Sequence, residues 1–238
     1  MENYVLHKAN TRGHANHGWL DTHHTFSFGG YMNPSRMNFG VLRVLNDDVV
    51  AGGGGFGTHP HSNMEIISIP LKGNLEHQDS MGNVQVIEQN NVQIMSAGTG
   101  VYHSEYNQSK AEPVNFLQIW VFPKEHNISP RYDQKTFLPE ERKNRLQLIV
   151  SANKIEDSLY INQDAFFSLG NFSAGKEFSY SKHKIENGVY LFLIDGKMKV
   201  NGIEVEKRDG IGFPETDNLA INCSENCEIL ILEVPMKL

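Results

Sequence analysis

Gly57-Thr58-His59-Pro60-His61 and, later in the chain, His103-Ser104-Glu105 are the stretches on which the reading of this sequence turns. In an extended strand successive side chains point to opposite faces, so residues i and i+2 share one face. His59 and His61 therefore present two imidazoles side by side, and His103 and Glu105 present an imidazole and a carboxylate. If the two strands face each other, three neutral nitrogens and one anionic oxygen converge. That donor set suits a divalent transition metal such as iron, manganese, nickel or zinc better than a thiolate metal.

Outward from these pairs, the sequence reads as strands and turns. Gly52-Gly53-Gly54-Gly55 precedes the first pair and marks a tight turn or a close backbone approach. Strands are expected at Thr25–Phe28, at Asn38–Leu45 closed by an Asn46-Asp47-Asp48 turn, and at Met64–Leu71. More follow at Leu75–Asp79, Val84–Ile87, Val92–Met95, Val101–Glu105 and Val114–Phe122, with Ser80-Met81-Gly82-Asn83 as a hairpin turn. Short strands at this spacing point to an antiparallel barrel or jelly roll, whose open end suits a metal. His14 and His17, among Gly, Asn and Arg, read as loop histidines. His23 and His24 are neighbours, so at most one can face a site.

The texture changes at Pro123. Residues 124–135 are polar and without period, and 138–145 are charged and read as a turn or short helix. A domain boundary is placed here, giving domains at 1–135 and 136–238. Strand signals resume at Leu146–Ser151, recur through Ile161, Phe166, Phe167, Leu169 and Phe172, and end with Gly188–Ile194, a Lys197–Gly202 hairpin and Glu228–Val234. The second half offers His183 alone, with no His-x-His pair, and is expected to be free of metal.

Composition narrows the function. The 238 residues carry 21 Lys and Arg against 28 Asp and Glu, a formal charge of −7. Nucleic-acid binding needs clustered positive charge, so nucleic acid is not an expected partner. No apolar run approaches a membrane span, and the first residues have neither a basic nor an apolar signal region. Cys223 and Cys227 are the two cysteines, read as reduced thiols. A cytoplasmic protein is expected.

Several motifs together resemble the pirin family of the cupin superfamily. They are Arg12-Gly13-His14, Trp19-Leu20-Asp21-Thr22, Thr25-Phe26-Ser27-Phe28, Gly57-Thr58-His59-Pro60-His61, Met95-Ser96-Ala97-Gly98-Thr99-Gly100, His103-Ser104-Glu105-Tyr106-Asn107 and Leu117-Gln118-Ile119-Trp120. The match is dense from about residue 11 to residue 135 and weaker beyond residue 140. It implies an all-β bicupin, two antiparallel jelly-roll β-barrels packed together, with one metal in the first. The family ligands fall on His59, His61, His103 and Glu105, and the expected ion is Fe(II), with Mn, Ni, Zn or Cu as alternatives.

Many cupins instead take their carboxylate ligand four residues after the second histidine, here Glu65. The pirin spacing favours Glu105 and leaves Glu65 a supporting or structural role. Several bacterial pirins are quercetin 2,3-dioxygenases, which implies a flavonol-like aromatic substrate, O₂ as co-substrate and Glu105 as base. Phe26, Phe28 and Phe56 are candidates for an apolar wall. The animal relatives are nuclear proteins linked to transcription factors, which implies the alternative of a non-enzymatic, redox-sensing regulator with a protein partner.

Overall fold

A computed structural model describes residues 3–237; Met1, Glu2 and Leu238, the outermost residues of the two expected domains, lie outside them. The described residues fold as strands joined by turns and loops, with helix confined to single 3₁₀ turns at Ala9–Thr11, Pro139–Arg142 and Ile155–Asp157. It forms two jelly-roll sandwiches, each a seven-stranded sheet facing a four-stranded one. In the first, the large sheet runs in the order Arg131–Thr136, Asn91–Ser96, Glu65–Lys72, Val114–Val121, Leu42–Val50, Leu20–His24, Gly13–Asn16. Its small sheet runs Gly55–His61, Val101–Asn107, Leu75–Asp79, Val84–Ile87. The second sandwich repeats the plan between Leu146 and Pro235. The expected barrels are thus flattened pairs of sheets, as jelly rolls are.

The two large sheets pack face to face, and the largest apolar cluster lies between them. It joins Leu42, Leu45, Ile67, Ile69, Leu117, Ile119 and Val121 to Phe167, Leu169, Tyr190, Phe192, Leu230 and Leu232. Alternation explains why Val114–Val121 is so apolar. Leu117, Ile119 and Val121 point into this interface, whereas Phe116, Gln118 and Trp120 point into the first sandwich. The Glu65–Lys72 strand does the same with Ile67 and Ile69 against Ile66 and Ser68. A strand buried on both faces loses the polar half of its pattern.

The termini are exchanged across the interface. Val5–His7 pairs with Gly210–Phe213 of the second large sheet, and the Val41 amide donates to Pro235 O at 2.9 Å. Gly40 permits that approach: its φ is +53°, and a Cβ there would lie 2.1 Å from the Pro235 oxygen. Buried Asp47 lies 3.6 Å from Arg12 and 3.4 Å from Arg208, tying the halves by charge as well.

Several stretches differ from the sequence reading: Arg131–Thr136, within the segment read as polar and without period, is an edge strand of the first large sheet, and the strand expected from Asn38 begins at Leu42. The strand expected at Thr25–Phe28 is instead Leu20–His24; the chain then bends, and Phe28 and Tyr31 close a single bridge. Ser27 Oγ accepts from the Asn33 amide and donates back to its carbonyl, which stabilises the bend. Asn46-Asp47-Asp48 is not a turn. It lies inside the Leu42–Val50 strand, and all three residues are buried. The glycine run does turn, with Gly53 at φ +74°.

Candidate metal centre

Backbone pairing sets the histidine cluster. His59 stands directly opposite His103 on the adjoining strand, and His61 lies two residues from His59 on the same face. Between His103 and Glu105 the register shifts: Glu105 pairs with Phe56, so three steps of one strand oppose two of the other. That bulge frees the Gly57 carbonyl, to which His59 Nδ1 donates at 2.8 Å. The bond fixes the tautomer, since a carbonyl can only accept. His59 Nε2 is therefore left with its lone pair pointing inward.

The Nε2 atoms of His59 and His103 are 3.1 Å apart, and the ligand atoms of His59, His61 and His103 all lie within 4.8 Å of one another. Two nitrogens on one ion at about 2.1 Å, held at right angles, stand about 3 Å apart. His61 Nε2 is buried and makes no hydrogen bond. Burial, reinforced by His103 and His59, lowers the His61 pKa to about 4. Burial, then His59 and His77, lowers that of His103 to about 3. Both rings are neutral at ordinary pH, the form that ligates. Converging bare nitrogens, one of them buried without a partner, fit a cation.

Glu105 stands at the next corner. Its Oε1 accepts from Ser68 Oγ at 2.9 Å and its Oε2 from Gln118 Nε2 at 2.7 Å. Ser68 and Gln118 occupy the inward positions of two large-sheet strands where an ordinary core would be apolar. Glu105 lines the same cavity as His59 and His61, and its ligand atom groups within 4.8 Å with those of His103 and His77. His77, directly across from Glu105, is a neighbour the sequence reading missed. Its Nε2 is 3.2 Å from Asp79 Oδ2, and its Nδ1 is buried without a partner.

The cavity beside this cluster measures about 380 Å³ and is walled by Trp19, Phe28, Phe56 and Trp120. Trp120 meets the His61 ring edge-on at 4.9 Å, and Phe28 meets Trp120 at 5.3 Å. Of the three expected wall aromatics, Phe28 and Phe56 are there. Phe26 is not; it lies in the interface between the large sheets. The two tryptophans were not anticipated, because cross-strand neighbours cannot be read from one strand's pattern.

The remaining candidates separate clearly. Glu65 is buried away from the histidines, accepting from Ser96 Oγ and from the Asn162 amide of the second half; burial raises its pKa to about 6. His24 faces inward and His23 outward, while His14 lies in a strand rather than a loop, stacked on His23 at 4.5 Å. His14, Asp21 and His23 form a further, more exposed group on that hairpin. Among the described residues, His183 hydrogen-bonds with Glu233 and Tyr180, and it stacks on Phe166 at 4.4 Å. The interior of the second sandwich is filled by Val189, Leu191, Met198, Ile211, Phe213, Leu219 and Ile221.

Paired jelly rolls with a histidine cluster in one of them define a bicupin. Residues 5–121 match the pirin family and residues 148–234 the quercetinase C-terminal cupin domain. The chain is 44% identical over 232 residues to quercetin 2,3-dioxygenase of Escherichia coli, covering 97% of this chain and 98% of that protein. It is 37% identical to a pirin-like protein of Caulobacter vibrioides, covering 93% and 95%. A bacterial pirin from Escherichia coli, solved in complex with nickel(II), superposes with a TM-score of 0.93 at 40% identity, covering 98% of this chain and 99% of that one. The chain belongs to the pirin family. Among its described residues, no helix is long and apolar enough to cross a membrane.

Proposed function

We propose that this protein is a metal-dependent dioxygenase that opens flavonols with O₂, and that His59, His61, His103 and Glu105 hold one divalent ion, Fe(II) in the favoured case. The observation that carries the reading is the convergence of three imidazoles at the edge of an aromatic-walled cavity, with a buried carboxylate beside them. The name of the Escherichia coli relative supports the reaction, and the nickel(II) complex of the related pirin supports a divalent ion. When bound, the ion supplies Lewis acidity that favours the substrate as its oxyanion.

The chain does the rest. Trp19, Phe28, Phe56 and Trp120 offer flat apolar surfaces that sandwich fused aromatic rings and exclude water. Glu105, held by Ser68 and Gln118, accepts the proton of the flavonol 3-hydroxyl at a carboxylate oxygen. The second sandwich supplies no ligand. Its role is to bury the outer face of the large sheet whose inner face carries Ser68 and Gln118.

The test is turnover normalised to bound metal. The wild type should consume O₂ in proportion to flavonol lost and release carbon monoxide. Glu105→Gln keeps the shape but not the basicity, and should lose about a hundredfold or more in normalised turnover. Wild type that binds metal and flavonol yet consumes no O₂ would refute the enzyme reading and leave a metal-bearing regulator. Equal normalised turnover in Glu105→Gln would remove Glu105 as the base.

A further inference from the structure

A second chamber adjoins the metal cavity. It measures about 470 Å³, and Phe28, Asn46, Asp48 and Phe56 line both spaces. Each is within the range of small-molecule sites, about 300–1,000 Å³, but the two differ in chemistry. Aromatic rings dominate the first. The second adds Thr22, His24 and Tyr31 to the shared Asn46 and Asp48. These residues come from paired strands in register, Thr22 opposite Asp48 and His24 opposite Asn46, so the polar lining is a built feature of the sheet.

Two observations suit this lining to a hydroxyl. Asn46 is 2% exposed, and its Oδ1 is buried with no hydrogen bond. Leaving a buried amide oxygen unpaired is unfavourable, and a ligand hydroxyl would offset that. Burial lowers the His24 pKa, and the Asn46 side chain beside it opposes that shift. Beside it, Asp48 accepts from Thr22 Oγ1, and burial raises its pKa to about 7. Near neutrality Asp48 is thus available both as acceptor and as donor. His24 is held neutral by burial and can likewise do either.

We propose that this chamber is the binding site for a hydroxylated aryl substituent of the substrate, with Asn46, Asp48 and His24 hydrogen-bonding its hydroxyls. The proposal rests on the flavonol reading and narrows it. In a flavonol the exocyclic ring is attached at the carbon next to the one bearing the 3-hydroxyl. With that hydroxyl at the metal cluster and the fused rings between the aromatic walls, the exocyclic ring is directed to a neighbouring space. The favoured substrates are those with two or more hydroxyls on that ring. Phe28 and Phe56, shared by both chambers, set the waist between the two ring systems.

The test is calorimetric binding under argon to the metal-loaded protein, using flavonols with none, one or two hydroxyls on the exocyclic ring. Wild type should bind the dihydroxylated compound about tenfold or more tightly than the bare-ring one, the worth of one or two well-made hydrogen bonds. In Asn46→Leu and in His24→Phe, each checked for metal content, that ratio should shrink to within about twofold. If Asn46→Leu does not fold, His24→Phe alone decides. Equal wild-type affinities, an unchanged ratio in the folded variants, or affinities that follow hydroxyls on the fused ring would overturn the proposal. Absence of all flavonol binding would overturn it together with the flavonol reading. Graded binding with no O₂ consumption would sustain the chamber and remove the dioxygenase.

Discussion

Replacing Gln118 by Leu tests whether the side chains that hydrogen-bond Glu105 hold the proposed ligand in place. Glu105 receives two donors in the structure, Gln118 Nε2 at 2.7 Å and Ser68 Oγ at 2.9 Å. Ser68 Oγ also lies 3.0 Å from Gln118 Oε1. Its single proton serves two acceptors, so Gln118 supplies the firmer contact. Leucine is close in volume and suits the apolar surroundings, so the fold should persist, while one carboxylate oxygen loses its anchor. Removing such a partner typically weakens metal binding 10- to 100-fold, or about 1.4–2.7 kcal/mol. Ser68→Ala should cost less, because its Oγ is shared. The assay is competition with a chromophoric chelator, with thermal unfolding as a check on fold. Metal affinity within about twofold of wild type in folded Gln118→Leu would refute the claim that Glu105 is a ligand oriented by this pair.

Two further perturbations test the setting of the site. Burial raises the Asp48 pKa from 3.8 to about 7, so the folded chain holds a proton that the unfolded chain releases between those values. The protonated form contributes stability below pH 4 that is lost as pH rises through 7, on the order of 4 kcal/mol at most. Metal-free Asp48→Asn should accordingly gain stability relative to wild type as pH rises from 4 to 8 in denaturant titrations; a constant difference would contradict the burial argument. Phe192→Ala, in the cluster between the large sheets, should cost about 3–5 kcal/mol and lower one shared unfolding transition. Two transitions, with the first-sandwich one unmoved, would show that the halves fold independently.

How much of this was legible in the sequence depends on the kind of pattern. The meeting of His59, His61 and His103, with Glu105 next to His103, was readable because period two is local and two such pairs coincided. The turn assigned to Asn46-Asp47-Asp48 failed for an instructive reason. Polar residues in mid-strand carry the composition of a turn; here Asn46 and Asp48 face the cavity, and Asp47, on the opposite face, meets Arg12 and Arg208. The same holds for Ser68 and Gln118, polar interruptions in apolar strands whose meaning appears once Glu105 lies across from them. His77 and Trp120 become neighbours of the cluster through cross-strand register, which no single strand encodes. The Thr25–Phe28 alternation came from a bend stabilised by Ser27 and Asn33, not from a ladder. The exchange of Val5–His7 into the second large sheet was also invisible, because a short terminal strand does not name its partner.

The most direct test of the metal centre is elemental analysis of purified wild type, His59→Ala, His103→Ala and His183→Ala, prepared side by side and confirmed folded. The wild type and His183→Ala should each carry about one divalent ion per chain, and both His59→Ala and His103→Ala should lose it sharply. Full metal content in the His59 and His103 variants, or a second ion that disappears with His183, would contradict this metal-centre assignment.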